Sequence, residues 1–165
     1  MPAGVCKTGI GQDSHRFAEE GSDKPLRLGG ITVSGCRGLS GNSDADVVLH
    51  AVTNAVSGVS GVNILGETTD RMCLEQSITD SREYLKKALD TLPLKTDIVH
   101  LSISIECKTP KLAGYIAEMK EGISSVIGID TADIGITATS GEGLTQYGMG
   151  MGIQAFAVVS AVVYG

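Results

Sequence analysis

Gly11-Gln12-Asp13-Ser14-His15, coming directly after the short apolar run Val5-Cys6-Lys7-Thr8-Gly9-Ile10, is the stretch on which the rest of the chain depends. The run reads as a strand. If it continues through His15, side chains two positions apart share a face, so Asp13 and His15 look the same way. A carboxylate and an imidazole that converge supply two of the three protein ligands of an open, catalytic divalent-metal site. The third must come from elsewhere, and the other histidines are His50 and His100. Taken alone, Asp-x-His equally describes a carboxylate that orients a histidine through a hydrogen bond.

His50 is the better third ligand. Ser43-Asp44-Ala45-Asp46 reads as a Ser cap with an acid three residues on and negative charge in the first turn of a helix. From there Val47, Val48, Ala51, Val52, Ala55, Val56 and Val59 recur at helical spacing. Asp46, His50 and Asn54, each four apart, form a polar ridge along the edge of that stripe. A histidine on that edge can face a neighbouring strand. His100 falls on the polar face of an alternating strand, Asp97 to Cys107, with no companion ligand, and is expected at the surface.

The remaining elements follow from turn and cap signals. Glu19 to Pro25 is a polar loop, and Leu26 to Val33 is a hairpin around Gly29-Gly30. Gly38 to Asn42 is a loop leading to the first helix. Ser57 to Thr79 is rich in Gly, Ser, Thr and charge and is expected to be a long lid or binding loop. Asp80-Ser81-Arg82-Glu83 caps a second helix that carries Tyr84, Leu85, Ala88, Leu89 and Leu92 on one face and ends at Pro93. Thr109-Pro110-Lys111 is a cap followed by Pro at the first helical position, opening a third helix that Gly128 terminates. Ile134 to Ala138 and Ile153 to Val163 are strands. Between them, Thr139-Ser140-Gly141-Glu142-Gly143 offers small residues whose N–H groups suit phosphate and a carboxylate for an oxygen-loving cation, or is simply a mobile loop. The order implies one α+β domain over residues 1–165, a sheet with helices against one face.

Composition narrows the function. The chain of 165 residues is long enough to bury roughly two-thirds of its unfolded surface. Its 13 Lys and Arg against 19 Asp and Glu give a formal charge of −6 without a basic cluster, which disfavours a nucleic-acid surface. An anionic small-molecule substrate would therefore rely on metal ions and backbone N–H groups. Cys6, Cys36, Cys73 and Cys107 are scattered without a Cys-x-x-Cys, which argues against a zinc ribbon and fits a reduced compartment. Met1-Pro2-Ala3-Gly4 leads into the first strand without a secretory signal, and no run of about eighteen apolar residues suggests a membrane span.

With Asp13-x-His15, the Ser-Asp-x-Asp-x-x-x-His run ending at His50, Thr-Pro-Lys at 109–111 and Ala-Thr-Ser-Gly-Glu at 138–142, the chain resembles the 2-C-methyl-D-erythritol 2,4-cyclodiphosphate synthases. The match runs from Gly9 to the final strand. The resemblance implies a ferredoxin-like subunit in a homotrimer, with active sites between subunits, in the bacterial cytoplasm or a plastid or apicoplast stroma. It implies Zn²⁺, or another divalent transition metal, on Asp13, His15 and His50. It places a cytidine pocket along Cys107, Lys108, Thr109, Pro110, Lys111, Leu112 and Ala113, with Lys111 also near phosphate. It assigns diphosphate contacts to Thr139, Ser140 and Gly141, with Mg²⁺ or Mn²⁺ on Glu142. The implied reaction takes 4-diphosphocytidyl-2-C-methyl-D-erythritol 2-phosphate and expels CMP as the ring closes.

The sequence departs from that pattern at defined positions. Asn42, followed by Ser43, stands where the family usually has a His thought to steady the transition state. Ile64-Leu65-Gly66 stands for Asp-Ile-Gly, whose carboxylate grips substrate, with Gly66 retained. Thr69-Asp70-Arg71-Met72-Cys73 replaces Phe-Pro-Asp-Thr-Asp, and Met149 replaces an Arg near the trimer axis. The alternative expectation is a diverged, catalytically weak or silent trimer that binds metal and cytidine nucleotide or isoprenoid diphosphate.

Overall fold

The computed structural model describes residues 4–165; Met1 to Ala3, part of the start read for a leader, lie outside the described residues. Strand β1 (Val5–Arg16) runs without a break through Asp13 and His15. It is an edge strand, paired antiparallel with the last strand β6 (Gly152–Val163) from Val5 opposite Val163 to Arg16 opposite Gly152. Strand β6 in turn pairs antiparallel with β4 (Thr96–Glu106), and β4 pairs parallel with β5 (Ile134–Thr139). The sheet order is β1-β6-β4-β5, with β2 (Pro25–Leu28) and β3 (Ile31–Arg37) forming a separate hairpin. Helix α4 (Ile116–Ile127) is the crossover that a parallel β4–β5 pair requires.

Alternation decides which face is covered. Leu101, Ile103 and Ile105 of β4 and Ile153, Ala155, Ala157 and Val159 of β6 are buried, each large side chain contributing about 2 to 3 kcal/mol relative to exposure. Helix α1 (Val47–Ser60) lies over β1 and β6, and α3 (Ser81–Leu89) packs on α1 and α4. On β1 the residues beneath α1 are Gly9 and Gly11, where an added Cβ would collide with the carbonyl oxygens of Ala55 and Ala51. Those glycines let the helix sit directly on strand backbone, which brings His50 down to the level of Asp13. Among the described residues nothing is layered over the opposite face: Ile10 is 70% and Phe156 41% exposed.

Four expectations need correction. Ser43 does not cap α1; Asp46 does, because its buried carboxylate accepts from Leu49 N at 3.0 Å and also from Gly29 N at 2.8 Å and Gly30 N at 2.7 Å. The same carboxylate thus starts the helix and ties it to the β2–β3 turn, while Ser43 Oγ accepts from Ala45 N one turn upstream. The segment 57–79 is not one loop: it holds the end of α1 and a helix α2 (Glu67–Gln76). Helix α2 buries only Thr69, so it has no apolar stripe to reveal it; Gly66 caps it through the Thr69 hydroxyl. Helix α3 is capped by Asp80 as expected but ends at Leu89, with tight turns reaching Leu92. Finally, Thr109-Pro110 does not open a helix. Cys107 N still donates to Thr139 O, prolonging the strand pairing, and helical geometry begins only with a short turn at Ala113–Tyr115 before α4.

Candidate metal centre and nucleotide cleft

Asp13 and His15 project from β1 toward α1, and His50 meets them from the helix. Asp13 Oδ2 lies 3.0 Å from His15 Nε2 and 2.9 Å from His50 Nδ1. One ligand atom from each residue falls within 4.8 Å of the others. Among the described residues this is the single group of three or more His, Cys, Asp and Glu side chains so arranged. His100 is exposed and lies outside it.

Hydrogen bonds on the far sides of the rings fix which nitrogens face inward. His15 Nδ1 is 2.8 Å from Ser40 O, and a carbonyl only accepts, so the proton is on Nδ1 and the Nε2 lone pair points at Asp13. His50 Nε2 is 2.8 Å from Ser81 Oγ, which donates its own proton to Asp44 Oδ1. Asp44 Oδ2 also accepts from Ser81 N at 3.1 Å. Ser81 Oγ therefore accepts from His50 Nε2–H, leaving the Nδ1 lone pair toward Asp13. With neutral rings, two lone pairs and a carboxylate oxygen converge and repel one another; either a second proton on a ring, donated to Asp13, or a cation among them removes the repulsion, and the donor set suits zinc. Burial opposes ionisation of Asp13, but hydrogen bonds from both histidines and their charge outweigh it and hold the carboxyl at about 2. The hydrogen bond to Asp13 raises the His15 pKa against the opposing effect of burial.

The trio opens into a cleft of about 340 Å³ that Asn42, Ser43, Leu65, Gly66, Asp70 and Cys73 help line. Asn42, Ser43 and Gly66 thus line the same cleft as the trio. Ile64 is buried in the core and does not reach it. The sequence reading missed the Asp44–Ser81 relay and the wall made by α2. The Asp-Ser pair at 80–81, read only as a cap, was the available signal for the relay.

A second cleft, about 300 Å³, lies between the end of β4 and the end of β5 and is lined by Cys107, Lys111, Leu112, Ala113, Ala138, Thr139 and Ser140 among others. Lys108, Thr109 and Pro110 belong to the same loop, Lys108 and Thr109 exposed and Pro110 half-buried. Burial pushes the Cys107 thiol up to about 12, so it is a neutral wall. The Gly141 and Glu142 N–H groups do not stand open to phosphate: they donate to Thr139 Oγ1 at 3.2 Å and Ser140 Oγ at 3.4 Å. The hydroxyl protons of Thr139 and Ser140 remain as donors. Glu142 is exposed on a left-handed turn with φ 52°. The two clefts have no lining residue in common.

Fold and site together define a small α+β protein that presents an open Asp-His-His centre at one cleft and a largely apolar cleft edged by hydroxyls elsewhere. The chain belongs to the YgbB family, whose model matches residues 6–162. It is 42% identical over 163 residues to the 2-C-methyl-D-erythritol 2,4-cyclodiphosphate synthase of Chlamydia caviae, covering 99% of this chain and 93% of that one. It is 44% identical over 163 residues to the synthase of the same name from Chlamydia trachomatis serovar A, covering 99% and 92%. Among solved structures, the bifunctional IspDF from Campylobacter jejuni superposes with a TM-score of 0.88 at 28% identity, covering 99% of this chain and 44% of that one. A 2C-methyl-D-erythritol-2,4-cyclodiphosphate synthase in its CDP-bound form superposes with a TM-score of 0.78 at 26% identity, covering 93% and 98%.

Proposed function

We propose that the chain converts 4-diphosphocytidyl-2-C-methyl-D-erythritol 2-phosphate to 2-C-methyl-D-erythritol 2,4-cyclodiphosphate with release of CMP. The observation that carries the reading is the convergence of Asp13, His15 and His50 on one point of a cleft, in a chain so similar to synthases of that name. An oxygen of the 2-phosphate forms a bond to the β-phosphorus, and the bond from that phosphorus to the α–β bridging oxygen breaks, its electron pair leaving with CMP. Ring closure brings anion to anion, so the protein's task is to position and to neutralise. No protein nucleophile is required.

Asp13, His15 and His50 would hold Zn²⁺ or another divalent transition metal, and Glu142 would hold Mg²⁺ or Mn²⁺ together with substrate phosphate. A lone carboxylate suits a magnesium ion that keeps several waters. Bound there, the ions supply positive charge to phosphate oxygens. The chain's own groups do the rest. Ser140 and Thr139 donate hydroxyl protons toward the diphosphate, Lys111 adds charge, and the loop from Cys107 to Ala113 encloses the cytosine. Asn42 and Ser43 donate to the reacting phosphates at the metal cleft.

Among the described residues the two clefts share no lining residue, and nothing covers the sheet face with Ile10 and Phe156. A homotrimer packed through that face, with a metal cleft of one copy beside the nucleotide cleft of the next, answers both facts. The bacterial relatives fit a cytoplasmic enzyme; a plastid or apicoplast stroma suits the same chemistry. The test is phosphorus NMR of pure protein with the substrate, Zn²⁺ and Mg²⁺. Cyclic diphosphate with CMP is expected; absence of turnover, or linear hydrolysis products, overturns the assignment.

A further inference from the structure

An acid stands at the foot of the loop that carries Thr139, Ser140 and Glu142. Glu106 is the last residue of β4, level with Thr139 of β5. Leu101, Ile103 and Ile105 point under the helices, so alternation turns Glu106 to the opposite face, with Ser102 and Ser104. Among the described residues its carboxylate takes one hydrogen bond, from Thr145 Oγ1 to Oε1. The same Thr145 oxygen accepts from Gly148 N at 2.9 Å. Glu106 Oε1 also lies against Gly141: a Cβ there would run into it, and would come within 2.8 Å of Gly148 Cα. One carboxylate oxygen thus gathers both limbs of the loop, 139–143 and 145–148, onto the end of the sheet.

The turn between those limbs does not hold its own place. Gly141 N and Glu142 N are satisfied by Thr139 and Ser140, which fixes the shape of the turn but not its seat on the sheet. Glu142 keeps a left-handed conformation, φ 52°, that a residue with a Cβ holds only when its surroundings impose it. A carboxylate beside a loop that is to meet a diphosphate repels that ligand, so what Glu106 contributes is position, by way of Thr145. We propose that Glu106 and Thr145 are a pair of positioning residues that set Ser140 and Glu142 for the nucleotide's diphosphate and its metal ion. The assignment rests on the cyclase reading for what the loop contacts.

Calorimetry with CDP and Mg²⁺ on the zinc-loaded protein, alongside turnover, tests it. Thr145→Val and Glu106→Ala each weaken CDP about tenfold and raise KM by a similar factor, with kcat within about threefold, as expected for one lost hydrogen bond to a charged acceptor. The double variant is no weaker than either single one, because the two side chains act through one contact. Thr145→Ser restores the parent's affinity. Glu106→Gln, whose carbonyl still accepts from Thr145, binds CDP at least as tightly as the parent. Zinc content and the circular dichroism spectrum do not change. Additive losses in the double variant, a Glu106→Gln variant as weak as Glu106→Ala, or single variants within twofold of the parent overturn the proposal, as does loss of zinc or fold in both single variants. So does a parent that does not bind CDP. A parent that binds CDP and shows this pattern without forming cyclic product sinks the cyclase reading and leaves the pair standing.

Discussion

The candidate metal centre and the proposed nucleotide cleft of this molecule are built by opposite means. Asp13 and His15 sit within a twelve-residue strand and His50 within a fourteen-residue helix pressed onto it, and each imidazole is held from behind by Ser40 or Ser81. The nucleotide cleft is made from strand ends and loops, with Lys108, Lys111 and Glu142 exposed and hydroxyls that satisfy their own turn. A metal needs ligand atoms fixed to a fraction of an ångström before it arrives, whereas a flexible nucleotide can be enclosed as it binds. Rigidity is concentrated where the geometry of the ligand is least forgiving.

The sharpest way to break that contrast is His50→Ala. It removes a ligand from the rigid end, and we expect loss of the stoichiometric zinc and a fall in kcat of about a thousandfold or more, because a Lewis-acid metal contributes several kcal/mol to such a transition state. Elemental analysis with the NMR assay reads both; a full metal equivalent retained in the variant would remove His50 from the ligand set. Gly11→Val attacks the same end through packing. Its side chain would meet the backbone of Ala51 and Ala55, and a loss of about 3 kcal/mol in urea unfolding is expected, at the upper range for overpacking. An unchanged midpoint would mean the helix does not depend on that close approach.

Ser81→Ala sharpens the comparison, since it leaves all three ligands and removes only the support behind His50. A roughly 10- to 100-fold weaker zinc affinity with unchanged CDP binding is expected, and Ser81→Thr should restore it; chelator competition measures both. Glu142→Gln probes the exposed end. It should lower kcat about tenfold at limiting Mg²⁺ with little change at saturation, and an identical magnesium titration would exclude Glu142.

The smallest effect is with pH. The folded Asp13 pKa, about 2, lies below the ordinary 3.8, so in metal-free protein its contribution is full above 3.8 and disappears as pH falls from there toward 2. It amounts to no more than about 2 kcal/mol, and unfolding free energies across that window should show it, absent in Asp13→Asn. His15 runs the other way. Its pKa is raised in the folded protein, so its contribution is full below 6.5 and lost as pH rises through the folded value.

The polypeptide's own order of residues determined the strand, hairpin, helix and strand sequence, the shared face of Asp13 and His15, and the helical edge that carries His50. These are local signals: a short apolar run at the start of β1, alternation along β4 and a 3.6-residue stripe in α1 survive without knowledge of partners. Helix α2 was illegible because it buries almost nothing, and the cap of α1 was misplaced because Asp46 earns its position from Gly29 and Gly30, seventeen and sixteen residues away. Only the folded molecule decided that Gly9 and Gly11 admit a helix backbone, that Ser81 stands behind His50 with Asp44, and that Asp70 lines the metal cleft. Each of these is a relation between elements far apart in the chain, set by distance and hydrogen-bond direction, and local composition carries no record of either.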